Sequence, residues 1–310
     1  MATFLLHLLI LSVFSGVTGR TDLLRPPRVT LAAEAPMPAP TPALKREEPV
    51  GPRKLDPASL GVKLTAPSAA LIDTKSGEVL FSQGDDRIVP IASITKLMTS
   101  MVILDLKPEW GKQVTIESGD NALAGIQYLH VGDRLRADEV FDVMLVGSAN
   151  NAAMALSRSL GISRAAFVAR MNSKARELGL FHTTFTDPTG YAPENVSTSL
   201  DVARLAFAAL ERPEIREALT RTELVVRTAA GADRRVPATN ELLQSFLNEG
   251  EFAIVGGKTG YTEEAGYTLV LRARKGAADV IAVTLGSATS EDRFQDAKSL
   301  LFWGFKTFAW

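Results

Sequence analysis

The sequence of 310 residues contains no cysteine, so neither disulfide bonds nor thiolate metal ligands can form. Its three histidines include no His-Glu-x-x-His segment, which removes the usual anchor of zinc proteolysis. Charged residues nearly balance to a net charge of −1, and no basic stripe runs beside aromatic residues. This composition excludes nucleic acid as a partner, and we expect neither a metal nor a cofactor.

Residues 1–19 predict an export signal. The apolar run of residues 4–17 is too short for a comfortable membrane span, and it leads into small residues that suit a signal peptidase. Because Met1-Ala2-Thr3 carries no lysine or arginine, an uncleaved anchor stays an alternative, with weak membrane association through the N-terminus. We therefore expect a protein that is exported to the periplasm or to the cell envelope.

Residues 20–62 predict an extended linker without a packed core. Nine of the sixteen prolines fall between Pro26 and Pro57, mixed with alanine, arginine and glutamate. Such a composition cannot bury enough apolar surface to fold. We therefore expect the folded domain to span residues 63–310.

The folded part predicts an α+β domain. An early pair of strands and three late strands should form one antiparallel sheet of about five strands, flanked by N- and C-terminal helices, with an all-helical lobe inserted between the early and late strands. The predicted strands are residues 67–73, 78–82, 252–258, 265–274 and 278–286. The predicted helical lobe is residues 93–220 and the last helix residues 291–308. A cleft between sheet and lobe is where we expect a site.

Ser93-Ile94-Thr95-Lys96 places a hydroxyl and an amine three residues apart at the start of an apolar helix. Positions i and i+3 share a helix face, so Lys96 can reach the oxygen of Ser93. Burial can lower the pKa of a lysine from about 10.4 by up to about 3–5 units, enough to reach the value near 7 that a base needs. Taken alone, the pair would be interpreted as a helix cap, Ser93, followed by a solvated lysine, Lys96.

Ser148-Ala149-Asn150 lies at a predicted bend between helices 138–146 and 151–160. A hydroxyl and an amide two residues apart on such a bend can pass a proton and hold a substrate carbonyl. Taken alone, the same residues would be a helix cap.

Lys258-Thr259-Gly260 ends the strand that begins at Phe252 and follows Gly256-Gly257. Small residues let a ligand backbone lie against the strand edge, and the lysine and threonine offer donors to a carboxylate. A phosphate loop would need glycine where Phe252 stands, so nucleotide binding is excluded.

The three motifs each occur once, in an order described for penicillin-binding proteins and class A β-lactamases. Together with residues 71–77, 90–98, 187–190 and 256–266, they make residues 65–290 resemble the serine-type D-alanyl-D-alanine carboxypeptidases, which are low-molecular-mass penicillin-binding proteins. The resemblance implies a β-lactamase/transpeptidase-like fold. It also implies a serine DD-peptidase that hydrolyses D-alanyl bonds of peptidoglycan stem peptides and forms covalent adducts with β-lactams.

The resemblance assigns the catalytic roles to three residues. Ser93 is the expected nucleophile, Lys96 the base that activates it, and Ser148 a proton relay towards the leaving amine.

The expected substrate-binding residues lie on the second and third motifs. By the same resemblance, Asn150 binds the substrate amide, and Lys258 with Thr259 binds the terminal carboxylate. The backbone N–H groups of Ser93 and Tyr261 would form the oxyanion hole, with Gly260 beside them.

Several alternatives stay open. The chain ends shortly after its last predicted strand, which resembles the branch that cleaves D-alanyl cross-links, so exo- and endo-cleavage are both compatible with it. A class A-like β-lactamase would need a Glu-x-x-Leu-Asn stretch, and Glu194 is followed by residues that do not match it. A non-catalytic wall-binding or β-lactam-sensing module would keep the pocket without turnover. A Ser-His-Asp triad would have to use His130 or His182, and no Gly-x-Ser-x-Gly elbow exists.

Overall fold

The computed structural model describes residues 51–121 and 125–310. Within them, the strands are β1 (Arg53–Lys54), β2 (Ser68–Asp73), β3 (Val79–Gln83), β4 (Val89–Pro90), β5 (Gln113–Thr115), β6 (Arg134–Arg136), β7 (Val196–Ser197), β8 (Glu223–Arg227), β9 (Asp233–Pro237), β10 (Phe252–Thr262), β11 (Gly266–Lys275), β12 (Ala278–Ser287) and β13 (Phe308–Ala309). The α-helices are α1 (Thr95–Asp105), α2 (Ala137–Val146), α3 (Asn150–Ser159), α4 (Arg164–Glu177), α5 (Ser199–Leu210), α6 (Pro213–Leu219) and α7 (Ser290–Thr307).

The predicted export signal and most of the predicted linker lie outside the described residues. The last part of the linker prediction is described, and it is ordered: β1 pairs antiparallel with β13, and the Leu55 backbone N–H donates to the Thr307 carbonyl. The folded part therefore includes residues that the linker prediction placed before it.

A five-stranded antiparallel sheet forms the base of the fold, in the order β10-β11-β12-β2-β3. All five predicted strands are in it, so the predicted α+β class is confirmed. Neighbouring residues of β11 point to different cores: Val270 packs in the core that contains α5, whereas Leu269 and Leu271 pack in the core that contains α7. Both faces of the sheet are thus covered by helices, which explains why these strands are so apolar.

The helical lobe is built around α1, whose residues 95–104 are all buried, as the apolar sequence predicts. Helices α2, α3, α4 and α5 pack around it. The lobe is not wholly helical, however, because the two-stranded pairs β5–β6 and β8–β9 extend from it. These strands are short and mostly exposed. Their sequences therefore do not need the alternation of apolar and polar residues by which a strand is predicted.

Among the described residues, no helix is long and apolar enough to cross a membrane. The last helix, α7, packs against β11 and β12, as predicted. No N-terminal helix is present in residues 51–67, the part before β2 that the structure describes.

A loop after α4 docks against the turn that precedes α1. Gly190 in this loop has φ +82°, and a Cβ at this position would overlap the Ala92 carbonyl and stand 2.8 Å from Thr95 Oγ1. Only glycine combines this backbone conformation with so close an approach.

We predict that Gly190→Ala lowers the free energy of unfolding more than Gly179→Ala does. Gly179 has a similar φ of +71°, but a Cβ there would meet only a Phe181 ring atom at 3.8 Å. The control should therefore show only the left-handed backbone cost of about 1–2 kcal/mol, whereas Gly190→Ala adds overpacking of about 1–3 kcal/mol. Urea unfolding of both variants measures the difference, and equal losses would contradict the tight docking.

Candidate active site

Ser93 lies on a 3₁₀ turn, Ala92–Ile94, just before α1 begins. The sequence predicted that it would sit in the first turn of the α-helix itself. The difference arises because Ala92 has φ 46° and the Ile94 N–H donates to the Ile91 carbonyl. A non-glycine residue in this left-handed conformation is uncommon, and such strain clusters at functional sites.

Lys96 is completely buried, with its amine at the centre of three contacts. Lys96 Nζ lies 2.8 Å from Ser93 Oγ, 2.7 Å from Asn150 Oδ1 and 2.8 Å from the Thr189 carbonyl oxygen. The one-turn spacing read from the sequence therefore produces the expected lysine–serine contact.

The geometry of these contacts serves both protonation states of Lys96. The Asn150 Oδ1 atom and the Thr189 carbonyl oxygen can only accept hydrogen bonds. A neutral amine has two N–H groups, and when these go to the two acceptors its lone pair is directed at the Ser93 hydroxyl. Moving one proton from Ser93 Oγ to Lys96 Nζ then needs no other rearrangement.

The environment of Lys96 favours its neutral form. Burial lowers the pKa of Lys96 to about 7, against an opposing effect of the Asp187 carboxylate. A lysine with this pKa is partly neutral at physiological pH and can act as a general base.

Ser148 and Lys258 form a second hydroxyl–amine pair. Ser148 lies on the bend between α2 and α3 with φ 60°, and Lys258 Nζ is 2.7 Å from Ser148 Oγ and 2.9 Å from the Thr259 carbonyl. Burial lowers the pKa of Lys258 well below its ordinary value, and the charges of Lys96 and Arg293 lower it further. Positive charge on Lys96 thus disfavours protonation of Lys258.

A pocket of about 720 Å³ opens in front of the two pairs. Of the residues predicted for the site, those that line it are Ser93, Ser148, Asn150, Thr259, Gly260 and Tyr261. Lys96 and Lys258 lie behind it, in contact with Ser93 and Ser148. The structure therefore brings all eight predicted residues together.

Gly260 allows β10 to approach the serine turn closely. A Cβ at position 260 would stand 2.9 Å from the Ser93 backbone nitrogen, so this N–H group lies against the strand that carries Tyr261. The sequence predicted that this strand ends at Lys258-Thr259-Gly260. In the structure, β10 continues to Thr262.

Residues of the alternative mechanisms lie elsewhere. Neither His130, His182 nor Glu194 lines the pocket, and all three are exposed. Among the described residues, no cluster of histidine, aspartate and glutamate could hold a metal ion.

The loop that supplies the Thr189 carbonyl has its own support, which sequence reasoning did not assign. Its Asp187 carboxylate accepts from the backbone N–H groups of Thr189 at 2.6 Å, Gly190 at 3.0 Å and Ala192 at 2.9 Å, and from the Asn195 amide. Burial raises the pKa of Asp187, but hydrogen bonds from the Thr189 hydroxyl, from the backbone N–H groups of Ala192 and Thr189 and from the Asn195 amide outweigh it, so the net pKa lies below its usual value. The turn-forming composition of Asp187-Pro188-Thr189-Gly190 was the available signal.

Two further pocket residues, Thr239 and Arg293, were also missed. Thr239 accepts a hydrogen bond of 2.6 Å from Thr259, and Arg293 Nη1 donates to the Gly260 carbonyl at 3.2 Å. Neither belongs to a recognisable motif.

The fold and the site are those of the penicillin-binding proteins and transpeptidases. The chain is similar to the solved Streptomyces K15 DD-transpeptidase, with 28% identity, a TM-score of 0.72, and coverage of 79% of this chain and 99% of that one. It is also similar to penicillin-binding protein D2 from Listeria monocytogenes in its ampicillin-bound form, with 31% identity, a TM-score of 0.68 and the same coverages.

Similarity among curated proteins narrows the class. The D-alanyl-D-alanine endopeptidase of Pseudomonas aeruginosa is 33% identical over 243 residues, which is 78% of this chain and 77% of the relative. The D-alanyl-D-alanine carboxypeptidase DacC of Escherichia coli is 35% identical over 252 residues, covering 77% of this chain and 60% of the relative. The profile of the D-alanyl-D-alanine carboxypeptidase family matches residues 55–289, so the chain belongs to that family. It is a serine DD-peptidase, as the sequence motifs predict.

We predict that Lys96→Met changes the pH dependence of stability. Because the pKa of Lys96 is lowered in the folded state, the unfolded chain binds more protons between pH 7 and about 10, and the stability of the parent should rise with pH in that window. Relative to Lys96→Met, the parent should gain about 1 kcal/mol per pH unit.

Urea unfolding of both proteins from pH 7 to 9.5 measures this gain. Lys174→Met is the control, because neighbouring carboxylates raise the pKa of Lys174. A pH-independent difference between the parent and Lys96→Met would show that Lys96 is charged throughout this range.

Proposed function

We propose that this chain cleaves the bond between the two terminal D-alanine residues of peptidoglycan stem peptides through an acyl-enzyme on Ser93. The observation that carries this assignment is the contact of 2.8 Å between the amine of Lys96 and the Ser93 hydroxyl, at the floor of a pocket that peptides can enter.

In the first step, neutral Lys96 takes the proton of Ser93, and Ser93 Oγ attacks the carbonyl carbon of the penultimate D-alanine. The resulting oxyanion accepts hydrogen bonds from the backbone N–H groups of Ser93 and Tyr261, which the close contact of Gly260 with the serine turn brings near each other. Preorganised donors of this kind supply a large part of catalysis in acyl transfer.

In the second step, the carbon–nitrogen bond breaks and the leaving amine needs a proton. Ser148, whose hydroxyl lies 2.7 Å from Lys258 Nζ, can donate its proton to that nitrogen, and the proton that Lys96 took from Ser93 then replaces it. This transfer leaves Lys96 neutral again. Lys96 can therefore accept a proton from the water that attacks the ester and return it to Ser93 Oγ as the shortened peptide leaves. Asn150 is positioned to hold the substrate amide while its Oδ1 orients Lys96.

The same pocket supports covalent reaction with β-lactams, whose strained amide replaces the D-alanyl bond. Penicillin-binding protein D2 was solved with ampicillin and with cefotaxime bound. No Glu-x-x-Leu-Asn stretch supplies a carboxylate for rapid deacylation here. We therefore expect long-lived adducts rather than turnover.

Cross-link endopeptidase activity is the second candidate. The relatives named D-alanyl-D-alanine endopeptidase in Pseudomonas aeruginosa and Haemophilus influenzae are matched over 77% and 80% of their length, whereas the carboxypeptidase DacC is matched over 60%. Relatives named for either activity therefore match this chain, and endopeptidase activity is a proposal beside carboxypeptidase activity.

We also propose that the chain is exported. Peptidoglycan lies outside the cytoplasmic membrane, and residues 1–19 have the composition of an export signal. The proline-rich residues that begin at residue 20 would be a spacer between this segment and the peptidase domain.

Labelling with a fluorescent penicillin tests the nucleophile. We expect a stable covalent adduct in the parent and none in Ser93→Ala. The matched control is Ser100→Ala, because Ser100 is a buried serine of α1 whose hydroxyl donates to the Leu97 carbonyl. Labelling of Ser93→Ala would place the nucleophile elsewhere, and rapid release from the parent would indicate a β-lactamase.

The pH dependence of the labelling rate tests the base. Because Lys96 must be neutral to accept the serine proton, the rate should rise with pH around a midpoint near 7. Lys96→Arg should lose at least about 10²-fold in rate, since a guanidinium stays charged and general-base catalysis is worth about that much or more. Lys174→Arg serves as the control, and a Lys96→Arg variant that labels at the parental rate would exclude Lys96 as the base.

Digestion of purified muropeptides distinguishes the two candidate activities. A carboxypeptidase should shorten monomeric pentapeptides and leave cross-linked dimers intact, whereas an endopeptidase should convert dimers into monomers. Ser93→Ala is the control for both products. Loss of neither substrate, together with normal penicillin labelling, would contradict hydrolysis and favour the β-lactam-sensing module.

A further inference from the structure

Two threonine hydroxyls face the pocket side by side, although only one belongs to a sequence motif. Thr259 Oγ1 and Thr239 Oγ1 are 2.6 Å apart, and both residues line the pocket. Thr239 lies between β9 and a 3₁₀ turn at Glu241–Gln244, in a segment that is remote in sequence from all three motifs.

The backbone around Thr239 is held from two sides. Its N–H donates to the carbonyl of Val146, the last residue of α2, at 3.2 Å. The next residue, Asn240, caps the 3₁₀ turn by accepting from the Leu242 N–H at 3.2 Å. These hydrogen bonds fix the backbone of Thr239, so its hydroxyl is held in the pocket that Ser148 and Thr259 also line.

The number of protons limits what this pair can do. Each threonine hydroxyl has one proton, and without a ligand the Thr259 proton points to Thr239. When the Thr259 hydroxyl donates its hydrogen bond to a substrate carboxylate, it can no longer donate to Thr239. The short contact then persists only if the Thr239 hydroxyl donates to the Thr259 oxygen. A hydroxyl that accepts a hydrogen bond is a stronger donor to its own acceptor.

Neutral donors matter in this pocket because burial disfavours the charged form of Lys258. Burial lowers the pKa of Lys258, and the charges of Arg293 and of protonated Lys96 lower it further. Correctly directed hydroxyl protons therefore contribute to the recognition of an anion beside Arg293.

We propose that Thr239 is a positioning residue that directs the Thr259 hydroxyl towards the terminal carboxylate of the substrate, so that the site prefers carboxylate ends to carboxamide ends. This inference rests on the proposed function, because that function supplies the D-alanyl-D-alanine ligand.

Binding without turnover tests the inference. In full-length Ser93→Ala protein, NMR titration would measure the Kd of an acyl-D-alanyl-D-alanine peptide with a free carboxylate and of the same peptide ending in a carboxamide. Adding Thr239→Val removes the hydroxyl but keeps the side-chain shape. We expect the Kd for the carboxylate peptide to rise about fivefold, as for one lost hydrogen bond between neutral groups, and the Kd for the carboxamide peptide to stay unchanged.

The conservative variant separates a positioning role from a structural one. Thr239→Ser keeps the hydroxyl and should restore the preference for the carboxylate end. An equal loss for both peptides, no loss for either, or no preference in the protein that retains Thr239 would each overturn the inference.

Failure of the proposed function has a different signature. It appears as absent penicillin labelling in the parent, and this binding comparison needs no acylation.

Discussion

The structure depends on one amine that is kept away from water beside a serine hydroxyl. Lowering the pKa of Lys96 from 10.5 to about 7 costs roughly 4–5 kcal/mol at neutral pH, a large part of the about 5–15 kcal/mol by which domains are stable. The buried helix α1 and the helices packed around it enforce this desolvation. The helical lobe therefore contributes to the proposed catalysis, because it lowers the pKa of an amine that would be charged in solvent.

Desolvation alone would not direct the lone pair of Lys96 at Ser93. Two acceptor-only oxygens do so, one from Asn150 at the start of α3 and one from the Thr189 carbonyl. The Thr189 carbonyl in turn depends on the Asp187 carboxylate, whose hydrogen bonds shape the loop, while its charge limits how far the pKa of Lys96 falls. The position and the basicity of the amine thus share one support.

Around this centre, the pocket has a polarity that suits a peptide with an anionic end. The two hydroxyl–amine pairs, Ser93–Lys96 and Ser148–Lys258, can each move a proton over a short distance without exposing charge. The edge strand β10 brings Gly260 against the serine turn, and Arg293 adds a cation beside the strand. The two hydroxyl–amine pairs therefore lie beside the backbone of β10 and the Arg293 cation, which can stabilise negative charge that develops on a substrate.

The sequence by itself determined the strands of the main sheet, the buried helix α1 and the residues of the three motifs. Apolar patterning predicted the five sheet strands and the buried helix α1, and the local spacing of Ser93 and Lys96 predicted their contact, because one helical turn fixes that distance. Tertiary structure decided the rest. Lys96 meets Asn150 and Thr189 across 54 and 93 residues of chain, and Lys258 meets Ser148 across 110. A carbonyl such as that of Thr189 has no side-chain signature, and Thr239 belongs to no motif, so only the folded chain shows that they complete the site.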